Sequence, residues 1–237
     1  MFKTLAVATA LTFTASAASA LVTVTIEAPT VVNTTVALTN STVINFNAVP
    51  VGANASITNA PLAAGATVSY DSFTASAPDI YGGAANTTYS TVGSATTITL
   101  GNTNGAHYFG LWASALDTGN IISIYKGATL LYTQDLYTAG NVTATSTAYN
   151  GNPTVGTNFG GDAFEKFVFF NFSVDGTGYD KIVLSNSAGG GAFENDNNTF
   201  GNIDSTTVPE PASWALMVTG FAMVGFSMRK RSRYATA

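Results

Sequence analysis

The chain of 237 residues carries 8 basic and 13 acidic residues, one histidine and no cysteine, for a net charge of −5. So few cations exclude binding to nucleic acid or anionic lipid through a basic surface. The missing thiols exclude disulfide staples, thiolate zinc sites and cysteine nucleophiles.

At the N-terminus Lys3 precedes an apolar run, Leu5 to Ala15, too short for a permanent span, and small residues follow through Ala20. This is the layout of a secretory signal over residues 1–20, with Ala18 and Ala20 at the A-x-A positions and cleavage after Ala20, or after Ala17 as the second choice. It implies the Sec translocon and signal peptidase as partners. Between Leu21 and Val208, three lysines (126, 166 and 181) face twelve acids, a net of −9, so basic residues near the two ends mask a strongly acidic middle.

Residues 21–207 read as one domain written in strand code. Val22, Val24 and Ile26 alternate with Thr23 and Thr25, and runs around Val31–Leu38 and Val43–Phe46 follow. Period-two patterns rich in Val, Ile, Thr and aromatics mark half-buried strands. From Ala106 the chain becomes aromatic. His107–Trp112, Ile121–Tyr125 and Thr129–Tyr132 are expected to form a three-strand meander. Phe164–Val174 and Tyr179–Ser185 are expected to pair as a hairpin across Asp175–Gly178, with Ala192–Asp204 closing the domain. Turn residues recur between runs, as in Tyr81-Gly82-Gly83 and Gly101–Gly105. Many short strands with regular turns predict an antiparallel β-sandwich or jelly roll.

The C-terminal residues 208–233 have a different grammar, and 234–237 are a short tail. Pro209-Glu210-Pro211 breaks any strand or helix. Residues 212–228 carry no charge and are long enough, at the short limit, for one membrane-spanning helix. Arg229, Lys230, Arg231 and Arg233 then form a stop-transfer patch that would stay cytoplasmic. This order of parts, with Trp214-Ala215 after the triplet, resembles the PEP-CTERM sorting signal of Gram-negative bacteria. The resemblance implies an exosortase-type membrane protease that recognises the triplet, transient residence in the inner membrane, and final placement on the outer surface or in the extracellular matrix.

Residues Tyr108 to Asp204 also resemble the all-β surface domains that precede such tails, through the aromatic-glycine strand Phe109-Gly110-Leu111-Trp112 and the stretch Phe193-Glu194-Asn195-Asp196-Asn197. That likeness implies a lectin-like sandwich and no catalytic residues.

Candidate chemistry within the domain is sparse. His107 has no nucleophile elbow to serve and reads as a strand-edge histidine. Glu165 and Glu194 lie among aromatics, where a carboxyl pKa can rise, and are the pair a glycoside hydrolase would use. Asp180, Glu194 and Asp196 sit on or beside turns and could supply oxygens to calcium, although Asp and Asn are also ordinary turn formers. For sugar binding, Tyr81 and Tyr149 lie in Gly/Asn/Thr-rich loops, whereas Trp112 on a strand reads as core. The sequence therefore supports an exported, non-enzymatic structural or adhesive protein linked to exopolysaccharide. A calcium-assisted carbohydrate-binding module is the alternative, and a glycoside hydrolase a distant third.

Overall fold

A computed structural model describes residues 21–103, 105–138, 147–154, 164–187 and 191–203. Among these residues twelve strands form one antiparallel sheet. In chain order they are β1 (Val22–Ile26), β2 (Leu38–Ile44), β3 (Gly52–Pro61), β4 (Thr67–Ser76), β5 (Tyr89–Val92), β6 (Ala95–Gly101), β7 (Tyr108–Leu116), β8 (Asn120–Lys126), β9 (Thr129–Asp135), β10 (Lys166–Val174), β11 (Lys181–Asn186) and β12 (Phe193–Ile203). The hydrogen-bonded path runs β1-β10-β7-β12-β5-β4-β6-β11-β8-β9, with β2 joined to β12 and β3 to β4.

The sheet curls into a nearly closed barrel, which corrects the expected sandwich and jelly roll. Two long strands are the physical reason. β4 pairs through Thr67–Tyr70 with β6 and through Thr74–Ser76 with β5. β12 pairs through Phe193–Asn195 with β5, through Asn198–Ile203 with β2, and also with β7. Each long strand divides its length between partners and so stitches what would be two sheets into one. Near the ends of the path, Tyr132 of β9 packs on Phe172 of β10 at 6.1 Å, and Val22, Val24 and Leu131 join the same core.

That core is aromatic and continuous. Phe109, Phe170, Phe172 and Phe200 fill it from β10, β7 and β12, with Phe109 and Phe200 centroids 5.3 Å apart. A polar thread runs through it: Tyr70 Oη donates to Asn198 Oδ1 (3.0 Å), and Asn198 Nδ2 donates to Asn195 Oδ1 (3.0 Å). Both asparagines are fully buried, so satisfied hydrogen bonding is what permits them there.

Two expected pairings are corrected as well. β8 and β9 form a hairpin, but β7 pairs with β10 and β12 instead of completing a meander. β10 and β11 are not a hairpin either, since β11 lies between β6 and β8. Both β7 and β10 are buried on two faces, and such strands seek interior positions in a sheet rather than their sequence neighbours. The last strand, β12, is also interior. Residues 27–37 mostly form an irregular strap instead of a strand.

A membrane-spanning helix of the kind expected, on which the inner-membrane transit rests, is not present among the described residues. No helix among the described residues is long and apolar enough to cross a membrane, and residues 212–228 lie outside the described residues. The same holds for the signal segment 1–20.

Candidate functional site

The outer face of β10, β7 and β12 is where the chain concentrates its unusual chemistry. Alternation sends Phe109, Leu111, Phe170 and Phe172 inward, and leaves Tyr108, Gly110, Trp112, Phe169 and Asn171 outward. These outward residues are buried nonetheless, because the strap over residues 27–37 and the loop over residues 77–88 cover them. Gly110 is required by close approach: a Cβ there would stand 2.5 Å from Tyr108 Oη and 2.7 Å from the Phe169 ring. Trp112 and Phe167 pack at 5.7 Å in a second, smaller apolar cluster with Phe169 and Ala84.

Asn171 anchors the strap. Its Oδ1 accepts hydrogen bonds from Thr34 Oγ1 (2.8 Å) and Tyr108 Oη, and its Nδ2 donates to Glu27 Oε1 (3.0 Å). Glu27 also accepts from the Thr35 backbone N–H (2.8 Å) and hydroxyl (2.7 Å). Burial alone would push the Glu27 carboxyl up, but these donors outweigh it and hold the pKa below its ordinary value.

Two further carboxyls on β12 behave oppositely. Asp196 is fully buried, and burial pushes its pKa to about 7 against the pull of backbone N–H groups from Asn197 (2.7 Å) and Ala84 (2.9 Å). Glu194 is also pushed to about 7, chiefly by burial, with the nearby charges of Asp117, Glu165 and Asp79 adding to it. Its cross-strand partner Ser114 is buried with a hydroxyl that has no hydrogen-bond partner among the described residues. Asp79 Oδ1 accepts from the Tyr81 (2.8 Å) and Gly82 (3.2 Å) N–H groups and from Tyr89 Oη (3.0 Å). Burial thus favours the protonated form of the Glu194 and Asp196 carboxyls more than in an ordinary exposed carboxylate.

The residues singled out by sequence are dispersed. Asp180 sits at the far hairpin end, accepting from the Gly127 N–H (2.8 Å) and facing Lys126 at 3.5 Å. Glu194 and Asp196 are next-but-one neighbours on β12. Among the described residues no group of three or more His, Asp or Glu is placed to hold a metal ion. Glu165 does come near Glu194, close enough for their charges to interact. Tyr149 donates from its hydroxyl to the Glu27 carbonyl (2.8 Å) and acts as a strut, whereas Tyr81 is 42% exposed. His107 bonds the Val174 carbonyl through Nδ1 (2.9 Å) at the strand edge, and Trp112 is 1% exposed.

Asn171, Glu27 and Asp79 escaped sequence reasoning. Asn171 had a visible signal, a lone amide inside the aromatic run Phe167–Phe172. The residues Ala18, Ala20, Pro209, Glu210, Pro211, Trp214, Ala215, Arg229, Lys230, Arg231 and Arg233 lie outside the described residues.

Comparison with known proteins bears on the tail alone. The family profile of the PEP-CTERM protein-sorting motif matches residues 207–232. No curated protein and no solved structure matches the chain. The chain thus carries a protein-sorting motif near its C-terminus.

Proposed function

We propose that this is an exported protein of a Gram-negative surface, delivered by an exosortase-type system, whose β-barrel has a non-enzymatic structural or adhesive role alongside exopolysaccharide. The observation that carries the reading is the sorting-motif match over residues 207–232, which contains the Pro209-Glu210-Pro211 triplet and Trp214-Ala215 in order. A cysteine-free barrel suits such a role, because an aromatic core gives stability without disulfide chemistry. The acidic middle keeps the module soluble outside the cell.

Replacing Pro209, Glu210 and Pro211 by alanine in the producing organism tests the sorting step. Surface labelling of intact cells should fall to background while total protein persists. Unchanged surface labelling would overturn the reading.

A further inference from the structure

A recess of about 330 Å³ opens on the outer wall where three separate segments meet β12. Asn33, Asn45, Asn47 and Asn197 line it together with Val32 and Val43, and no charged residue does so among the described residues. The loop residues Ala84, Ala85 and Thr87 complete the lining. The volume falls at the lower end of the range for small-molecule sites.

The recess is built, not incidental. Asp196 fixes the loop through the Ala84 N–H, and Asn197 Nδ2 fixes the strap through the Val32 carbonyl (2.9 Å). A register shift between Asp196 and Thr199 places Asn197 in this position. Four non-glycine residues around it have left-handed backbone: Phe46 (φ 55°), Ala85 (φ 54°), Asn86 (φ 61°) and Asn197 (φ 50°). Alanine and phenylalanine gain no local hydrogen bond in that region and pay for it sterically, so the surrounding contacts impose the shape.

The lining selects a ligand class. A carboxamide offers two donors and an acceptor, the complement of a hydroxyl that both donates and accepts. The side-chain amides of Asn33 and Asn47 make no hydrogen bond within the described residues, and both residues are exposed. Without a charge in the lining there is nothing to pair a phosphate, carboxylate or ammonium. Val43, 44% exposed, and Val32 supply apolar surface for the C–H face of a ring. We infer that this asparagine-lined recess is a binding site for a neutral saccharide, one to two sugar units long. A pre-shaped recess lowers the ordering cost that otherwise weakens binding to small polar ligands.

The inference gives the adhesive role a specific site and rests on it only for biological meaning, since saccharide binding is read separately from tail processing. The test is a titration of the full chain, kept in a detergent without a sugar headgroup, with maltotriose, cellotriose, xylotriose and tri-N-acetylchitotriose. Trigalacturonic acid and a neutral peptide of similar size serve as counter-probes. The site predicts saturable NMR shifts of the Asn33, Asn45 and Asn47 amides with at least one neutral trisaccharide. In the Asn45→Ala/Asn47→Ala double variant, affinity should fall about tenfold or more, a loss of about 1.4 kcal/mol, with thermal unfolding unchanged. Absence of saturation by any neutral probe up to about 10 mM, well above a weak millimolar affinity, would overturn it. So would binding that survives the double variant, or preference for the charged probe or the peptide.

Discussion

The two faces of the wall formed by β10, β7 and β12 are buried to the same degree by opposite means. Inside, Phe109, Phe170, Phe172 and Phe200 meet ring to ring and need no partner beyond one another. Outside, burial depends on a strap and a loop held by carboxylates and by Asn171 and Asn197, with Trp112 and Phe167 as a small apolar patch beneath. An aromatic face is stable through area removed from water, and it is indifferent to pH. A covered polar face is stable only while each group keeps its partner and its proton. The inner face therefore makes the barrel, and the outer face makes what the barrel presents.

Substitutions can break this contrast, beginning with the largest expected effect. Phe170→Ala should cost about 3–5 kcal/mol in denaturant unfolding, the range for truncating a buried phenylalanine. Trp112→Ala should fall in the same range, because the outer patch is also a closed core. A Trp112→Ala cost below about 1 kcal/mol would mean that the strap and loop do not seal the outer face. Asn171→Ala comes next, at about 2–3 kcal/mol, since it strips the acceptor from Tyr108 and Thr34 and a donor from Glu27. Faster proteolysis within the strap should accompany it.

The pH dependence separates the faces most cleanly. A glutamate in the unfolded chain titrates near 4.5, whereas folded Glu194 titrates at about 7, so the folded state retains a proton the unfolded chain has released. The associated stability is fully present below pH 4.5 and is lost as pH rises through 7. Asp196 contributes with the same sign from 3.8 upward. Glu194→Gln should therefore stabilise the protein at pH 8 by about 2 kcal/mol and change little at pH 4, read as melting temperatures across that interval. A gap that is constant with pH would show that Glu194 does not titrate differently on folding. Smallest of all, Tyr149→Phe should cost about 1 kcal/mol through the lost bond to the Glu27 carbonyl, and Tyr81→Ala should stay within about 0.5 kcal/mol.

Much of the barrel was legible in the sequence, for reasons the residues make plain. Alternation in Val22-Thr23-Val24-Thr25-Ile26 maps directly onto β1, and the dense run Phe167–Phe172 announced a strand buried on both faces. Partner choice was not legible. Only residues 117–119 separate β7 from β8, which therefore look like a hairpin, yet the demand to bury both faces of β7 takes it to β10 and β12. The barrel itself rests on β4 and β12 each dividing their length between partners, a property of strand length and bulge position that composition does not carry. Trp112 was readable as core, but its place in the second, outer cluster followed from the strap, whose valines had looked like a strand. The recess was invisible for a similar reason: Asn33, Asn45 and Asn197 are distant in sequence and converge only through Asp196 and Asn197.

Intact mass of the mature protein, purified from the organism that makes it, tests the central reading most directly. A sorted barrel predicts a C-terminus within Pro209 to Pro211. A chain that still ends at Ala237 would contradict it.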